Sequence, residues 1–268
     1  MHSKSTLALS FSILLSVLLL LGGTAKANEL TLSVALGLSP QQAEQVYRPL
    51  VSYLSNAAGQ PVTLKTSTNT LAHWQVMRRE GYDIVIDGPA FTAYRAAKMG
   101  YTVIAKFPDV LSFTLIAHAD QMVFDPSELI GRQVASQPSP SLGALGLAQI
   151  YSNPMRQPDF LQVDTHMDAG RAVEDGRALG AMVPSPLVPS FQNVIPVYTT
   201  EQFPSPGISI SGRVSPEVRD RIRQALVDAQ NTPAGRSVLE ALNIPYIEAA
   251  DNSVYLGHET MLEGLWGY

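Results

Sequence analysis

An α/β fold with largely parallel sheets is the architecture this sequence predicts. Short apolar runs of strand length alternate with helical segments, helix-start signals follow several of those runs directly, and no repeat or low-complexity tract breaks the alternation. Roughly 240 residues follow the apolar N-terminal segment, enough for one large core or two smaller ones.

That N-terminal segment comes first. Lys4 precedes an almost wholly apolar run from Leu7 to Leu21, and Gly22, Gly23 and the small-residue site Ala25-Lys26-Ala27 follow. The run is about 15 residues long, against the roughly 20 of a membrane-spanning helix, and leads directly into a cleavage site. Residues 1–27 are therefore expected to be a signal peptide, with Asn28 opening the mature chain. The sequence has no Cys, which excludes a disulfide framework and a lipidated anchor. A freely diffusing protein is useful mainly behind an outer barrier, so a Gram-negative periplasm is the expected compartment and outright secretion the alternative.

Loss of residues 1–27 removes Lys4 and Lys26 but no acid, and moves the formal charge from −5 to −7. A mildly acidic chain is a poor partner for nucleic acid. Any anion site must be built locally, from backbone amides and hydroxyls.

The first structural unit is a strand over Leu30 to Leu36 followed by Ser39-Pro40-Gln41-Gln42, which reads as N-cap, proline at the first helical position and capping-box glutamine. The helix it opens carries Ala43, Val46, Tyr47, Leu50, Val51 and Leu54 on one face and ends at Gly59, with Pro49 inside expected to bend it. Val62 to Thr66 with a helix near Leu71 to Arg79 repeats the pattern. Tyr82 to Ile86 with a helix from about Pro89 to Met99 repeats it again. Strands near Val103 and from Leu111 to Ala117 precede Asp125-Pro126-Ser127-Glu128, another N-cap with proline and an acidic first turn. Later units are a strand near Val134, a helix from Ser141, a strand near Leu161 to Val163, a helix from Met167 to Asp175 and a strand around Gly180 to Val183. Pro184 to Pro189, with three prolines, gives no clear reading, and packing helices start at Ser215-Pro216 and Thr232-Pro233.

In open parallel sheets a ligand sits beyond the carboxyl ends of strands, where helix starts present unpaired amides. The turns at those ends read Gly37-Leu38-Ser39, Ser67-Thr68-Asn69-Thr70, Asp87-Gly88-Pro89, Ser136-Gln137-Pro138-Ser139-Pro140-Ser141 and Thr165-His166. They are rich in hydroxyls and poor in charge, which suits an anion held by many neutral donors. Ser39, Thr68, Asn69, Gly88, Ser139, Ser141 and His166 are the candidates they supply. Each turn alone also reads as an ordinary helix cap, and the repetition at five strand ends is what favours a site. Asp87 could face a cationic ligand group, but the favoured expectation is that it caps the helix after it. Phe91 and Trp74 read as core, with either able to form an apolar wall for a ligand.

Enzyme motifs are missing. The five His residues, His2, His73, His118, His166 and His258, lack metal-ligand spacing, and nothing calls for a metal or other cofactor. There is no nucleophile elbow, phosphate-binding loop or dinucleotide fingerprint, and no pair of acids is singled out by spacing.

The order of motifs resembles the phosphonate-binding periplasmic proteins of ABC transporters, the PhnD-like group. The resemblance spans nearly the whole mature chain. It rests on Arg48-Pro49-Leu50-Val51-Ser52-Tyr53-Leu54, on Tyr82-Asp83-Ile84-Val85-Ile86-Asp87-Gly88-Pro89-Ala90, on Ser127-Glu128-Leu129-Ile130-Gly131-Arg132-Gln133-Val134-Ala135, and on the late Ser215-Pro216-Glu217 and Thr232-Pro233-Ala234-Gly235-Arg236. It implies a two-lobed type II periplasmic binding protein fold with two crossing hinge strands and a ligand cleft between the lobes. The lobes would be residues 28–111 with 206–268, and 112–205.

The family's Ser and Thr at a second-lobe helix start match Ser139 and Ser141, with Leu142 before Gly143. Where the family tends to have a ligand-facing Tyr, this chain has Phe91-Thr92, so Thr92 inherits that position with a shorter reach. Pro184-Ser185-Pro186 stands where aminophosphonate binders place an acid, which disfavours an aminoalkyl phosphonate and leaves phosphate, phosphite, a simple phosphonate or another small oxyanion, with loss of binding as a further alternative.

The implied function is a monomeric receptor, not an enzyme, that captures such an anion for an inner-membrane ABC permease. The alternative hands the closed form to a membrane sensor kinase or cyclase, and a periplasmic phosphoester hydrolase is the third reading.

Overall fold

The computed structural model describes residues 29–35, 39–67 and 69–265. The expected signal peptide and its cleavage site, the Gly37-Leu38 part of the first turn, and Thr68 lie outside the described residues. In chain order the strands are β1 (Leu30–Ala35), β2 (Val62–Lys65), β3 (Ile84–Asp87), β4 (Thr102–Lys106), β5 (Val110–Leu111), β6 (Phe113–His118), β7 (Gln133–Ser136), β8 (Asp159–Gln162), β9 (Gly180–Pro184), β10 (Val194–Thr199), β11 (Phe203–Pro204), β12 (Gly207–Ile210) and β13 (Glu248–Ala249). The α-helices are α1 (Pro40–Ala58), α2 (Thr70–Arg78), α3 (Pro89–Lys98), α4 (Leu142–Ile150), α5 (His166–Glu174), α6 (Pro216–Val227) and α7 (Pro233–Leu242).

Helix starts follow the expected local chemistry. Ser39 and Gln42 form the reciprocal capping box of α1, and Gly59 ends that helix in the left-handed region at φ 69°. Ala43, Tyr47, Leu50 and Leu54 form its buried stripe, and the helix runs through Pro49. Asp125 and Glu128 also form a capping box, but what they open is a single 3₁₀ turn over Pro126–Leu129. The proline-rich stretch that gave no clear reading is a 3₁₀ segment over Ser185–Ser190.

Two sheets organise the chain. The first has the order β13-β4-β12-β3-β1-β2 and the second the order β10-β6-β9-β7-β8, while β11 and β5 form a separate two-stranded ribbon. β1 runs parallel to β2 and β3, and β7 runs parallel to β8 and β9. The expectation of largely parallel sheets is corrected at the strands that enter or leave each sheet. β12 is antiparallel to β3 and β4, and β6 is antiparallel to β9 and β10. The cause is topological, because a strand arriving from the other sheet does not come through a strand-helix-strand crossover, and such a crossover is what keeps neighbours parallel.

Each sheet is covered on both faces. On the first, Leu32, Ile84 and Ile208 pack with Leu50 and Leu54 of α1, Ile222 and Leu226 of α6 and Val238 of α7. Val85 on the opposite face packs with Trp74, Phe91 and Tyr101. On the second sheet, Val134 and Met182 pack with Leu147 of α4, and Ala135 and Ala181 pack with Ala169 and Val173 of α5. The result is two lobes, with the chain passing out along β5 and back along β11.

Candidate ligand-binding site

Five of the expected helix starts gather at the carboxyl ends of the strands. In the first lobe, the strand order β3-β1-β2 puts the turns holding Gly88, Ser39 and Asn69 side by side. Ser39 and Asn69 are exposed N-caps whose side chains accept from the amides of Gln42 and Ala72. Gly88 begins α3 without a side-chain cap, and a Cβ built there would meet nothing within 4 Å. The surface beside it is open.

Asp87 does not cap α3. The cap is Gly88, and the Asp87 carboxylate is wholly buried in a polar network. Arg95, one helical face further along α3, bonds it twice, through Nη2 to Oδ1 at 2.7 Å and through Nη1 to Oδ2. Thr92 Oγ1 donates to Asp87 Oδ1 at 2.8 Å, His73 Nε2 lies 3.4 Å from Oδ2, and Ser33 Oγ lies 3.3 Å from His73 Nδ1. Arg95 Nε donates to Ser209 Oγ at 3.0 Å. Burial works to raise the Asp87 carboxyl, but the Arg95 charge and the bonds from His73 and Arg95 outweigh it and hold the group at about 2. The Thr92 hydroxyl is thus turned into the lobe and fully buried, and Phe91, 7 % exposed, packs with Trp74 at a ring separation of 5.8 Å.

In the second lobe, β7 pairs directly with β8, so the turns after Ser136 and after Gln162 are neighbours. Ser141 caps α4, its Oγ accepting from the Ala144 amide at 3.2 Å and donating to the Gln137 carbonyl at 3.1 Å. That leaves the first-turn amides of α4, which have no acceptor within the helix. Ser139 is exposed two residues before the cap. His166 is the first residue of α5, behind its cap Thr165, and stands edge-on to Phe113 with ring centroids 5.5 Å apart. Burial pushes its pKa down, which disfavours the charged imidazolium.

Two atoms stand out here. Among the described residues, Ser136 Oγ and His166 Nδ1 are the buried side-chain polar atoms with no hydrogen-bond partner. An unpaired buried group costs about 1–3 kcal/mol, and native structures leave few. Ser136 lies in the second-lobe turn but was not among the expected ligand residues. A strand-terminal Ser is locally indistinguishable from a sheet residue, and only the absence of a partner marks it out.

Elsewhere in the second lobe, a groove of about 820 Å³ is lined by Asp125, Ile130, Gly146, Tyr151, Arg156 and Tyr198 among others, and holds none of the expected ligand residues. Among the described residues no three His, Asp or Glu side chains are grouped to hold a metal ion.

A family model described as the periplasmic substrate-binding protein of phosphonate ABC transporters matches residues 32–255. The chain belongs to that family. Among solved structures, a Xanthomonas citri protein bound to ATP superposes with a TM-score of 0.74 at 14% identity, covering 88% of this chain and 99% of that one. PhnD1 from Prochlorococcus marinus in complex with methylphosphonate gives 0.71 at 12% identity, covering 88% and 97%. The binding component of a Pseudomonas aeruginosa ABC phosphonate transporter gives 0.70 at 14%, covering 87% and 85%. At these identities the likeness is one of fold, and it is the two-lobed type II arrangement. No curated sequence matches the chain. As a member of the phosphonate-binding family it is a periplasmic solute-binding component of an ABC importer, with a small ligand and a membrane permease as partners.

Proposed function

We propose that this phosphonate-family receptor captures a small phosphorus oxyanion, of the phosphonate, phosphite or phosphate type, in the cleft between its lobes. The observation that carries the reading is the pair of unpartnered buried atoms, Ser136 Oγ and His166 Nδ1, at the ends of neighbouring strands and beside the starts of α4 and α5. A ligand with several acceptor oxygens supplies what those groups and the free first-turn amides lack.

Ser139, Ser141 and His166 form the second-lobe half of the proposed site, with Ser136 added. Gly88, Ser39 and Asn69 form the first-lobe half. Phe91 serves it as an apolar wall, and Thr92 acts indirectly, by holding Asp87. The lobes divide at residues 28–111 with 206–268, and 112–205. Ser185 Oγ, where an aminophosphonate binder would carry an acid, is bonded to Ser112 Oγ and Thr114 Oγ1, each at 2.8 Å. A ligand amine would find no carboxylate from that residue. The mature receptor starts at Asn28, works as a monomer, binds no nucleic acid, needs no cofactor and catalyses no reaction.

Titration calorimetry of the purified mature chain against phosphate, phosphite, methylphosphonate, 2-aminoethylphosphonate and sulfate tests the reading. Saturable binding of at least one of the first three is the expected result. Binding of none, or a preference for the amine-bearing ligand, overturns it.

A further inference from the structure

Leu145 sits on the wrong side of its helix to belong to its own lobe. A methyl group placed on Gly143 would meet Met182 and Phe113 at 3.4 Å, and one on Gly146 would meet Thr200 at 3.4 Å. The Gly143-Gly146 face of α4 is therefore the one seated on the second sheet. At about 100° per residue, position 145 lies roughly 200° round from position 143, on the outer face. Ala148 and Gln149, also on the outer side, are exposed there. Leu145 is only 5 % exposed, and it belongs to an apolar cluster whose other members, Trp74, Ala90, Phe91 and Leu262 among them, all come from the first lobe. The side chain that covers it is not its own lobe's.

This contact lies beside the proposed ligand site on both sides. The Leu145 amide makes the first helical bond of α4, to the Ser141 carbonyl at 2.9 Å, so Leu145 is one turn from the cap. On the first lobe, Phe91 stands in the first turn of α3, three residues after Gly88, and packs against Trp74, which packs in turn on Tyr94 with ring centroids 5.1 Å apart. An oxyanion held between the two helix starts would have an aromatic patch of the first lobe as the natural receptor for any carbon substituent it carries. Leu145 already fills that patch.

We infer that Leu145 sets the size of ligand this receptor accepts. It reaches across from the anion-binding helix into the aromatic cluster of the facing lobe, and leaves room for the oxyanion head with at most a very small substituent. This rests on the oxyanion reading above and adds the class within it, which is inorganic or one-carbon oxyanions over bulky organophosphonates.

Calorimetry on the wild type, Leu145→Ala and Leu145→Met with phosphite, methylphosphonate and phenylphosphonate tests it. The wild type and Leu145→Met should bind one of the small ligands and reject phenylphosphonate. Leu145→Ala should shift the ratio of phenylphosphonate to small-ligand affinity by at least about tenfold, the lower end of what one methylene is worth in an apolar pocket. Circular dichroism establishes that each variant is folded, and Leu145→Val carries the same comparison if Leu145→Ala is not. Equal wild-type affinity for bulky and small ligands overturns the inference, and so does a parallel change for all ligands in Leu145→Ala, which would make Leu145 a closing contact alone. A wild type that binds no oxyanion removes the underlying reading instead.

Discussion

The guanidinium of Arg95 forks onto the carboxylate of Asp87, and both side chains are wholly shielded from solvent at the carboxyl end of β3. A buried pair of this kind contributes little net stability over an apolar substitute, but removing one member strands the other's charge. Arg95→Met is therefore expected to cost about 3–5 kcal/mol in urea unfolding. The double replacement Asp87→Asn with Arg95→Met should cost less than the single one. A single variant within 1 kcal/mol of wild type, roughly the scatter of surface substitutions, would contradict the network.

The same pair gives the protein an acid limit. Asp87 titrates at about 2 in the fold, against an ordinary 3.8. A carboxyl whose folded value is depressed stabilises the native state above its unfolded value, and that contribution is lost as pH falls through the folded one. Between about pH 4 and pH 2 the urea midpoint should fall more steeply in the wild type than in the double variant. Parallel curves would show that Asp87 is not the group responsible.

Ser139 and Ser141 separate binding from folding. Replacing either with Ala should cost about 1–3 kcal/mol of ligand affinity by calorimetry. Ser141→Ala should also lose about 1 kcal/mol of stability, because its hydroxyl caps α4. Ser139 is exposed and caps nothing, so its replacement should leave the melting temperature unchanged. Unaltered affinity in both variants would remove this turn from the site.

Gly207 faces Asp87 across the β12–β3 ladder, and a Cβ there would lie 2.5 Å from Thr92 Cγ2 and 3.0 Å from the Tyr255 ring. Gly207→Ala should destabilise by about 1–3 kcal/mol, since Thr92 can yield only by releasing Asp87. Thermal unfolding that matches wild type would show that this contact relaxes freely.

What could be read in advance was what neighbours in sequence decide. The caps at Ser39, Ser141 and Thr165 lie three or four residues from their partners, and the apolar stripe of α1 repeats within one helix. The site's chemistry was harder to read wherever the partner is distant. Asp87 looks like a cap until Arg95 and His73 are brought onto it, and His73 had no visible role among scattered histidines. Leu145 reads as one more apolar helical residue, because the composition of α4 carries no mark of which lobe it meets. Antiparallel β6 and β12 were missed because strand direction is set by the chain's passage between lobes and not by residues in the strands.

That passage is narrow. β5 and β11 pair through Leu111 with Phe203 and Val110 with Pro204, and Ser205 Oγ reaches the carbonyls of Phe107, Pro108 and Asp109 within 2.8 Å. With only two such short spans between them, each half keeps its own packed interior. A small anion drawing the two halves together about these spans would alter the molecule's outline, and an outline is what a transporter embedded in the membrane could sense.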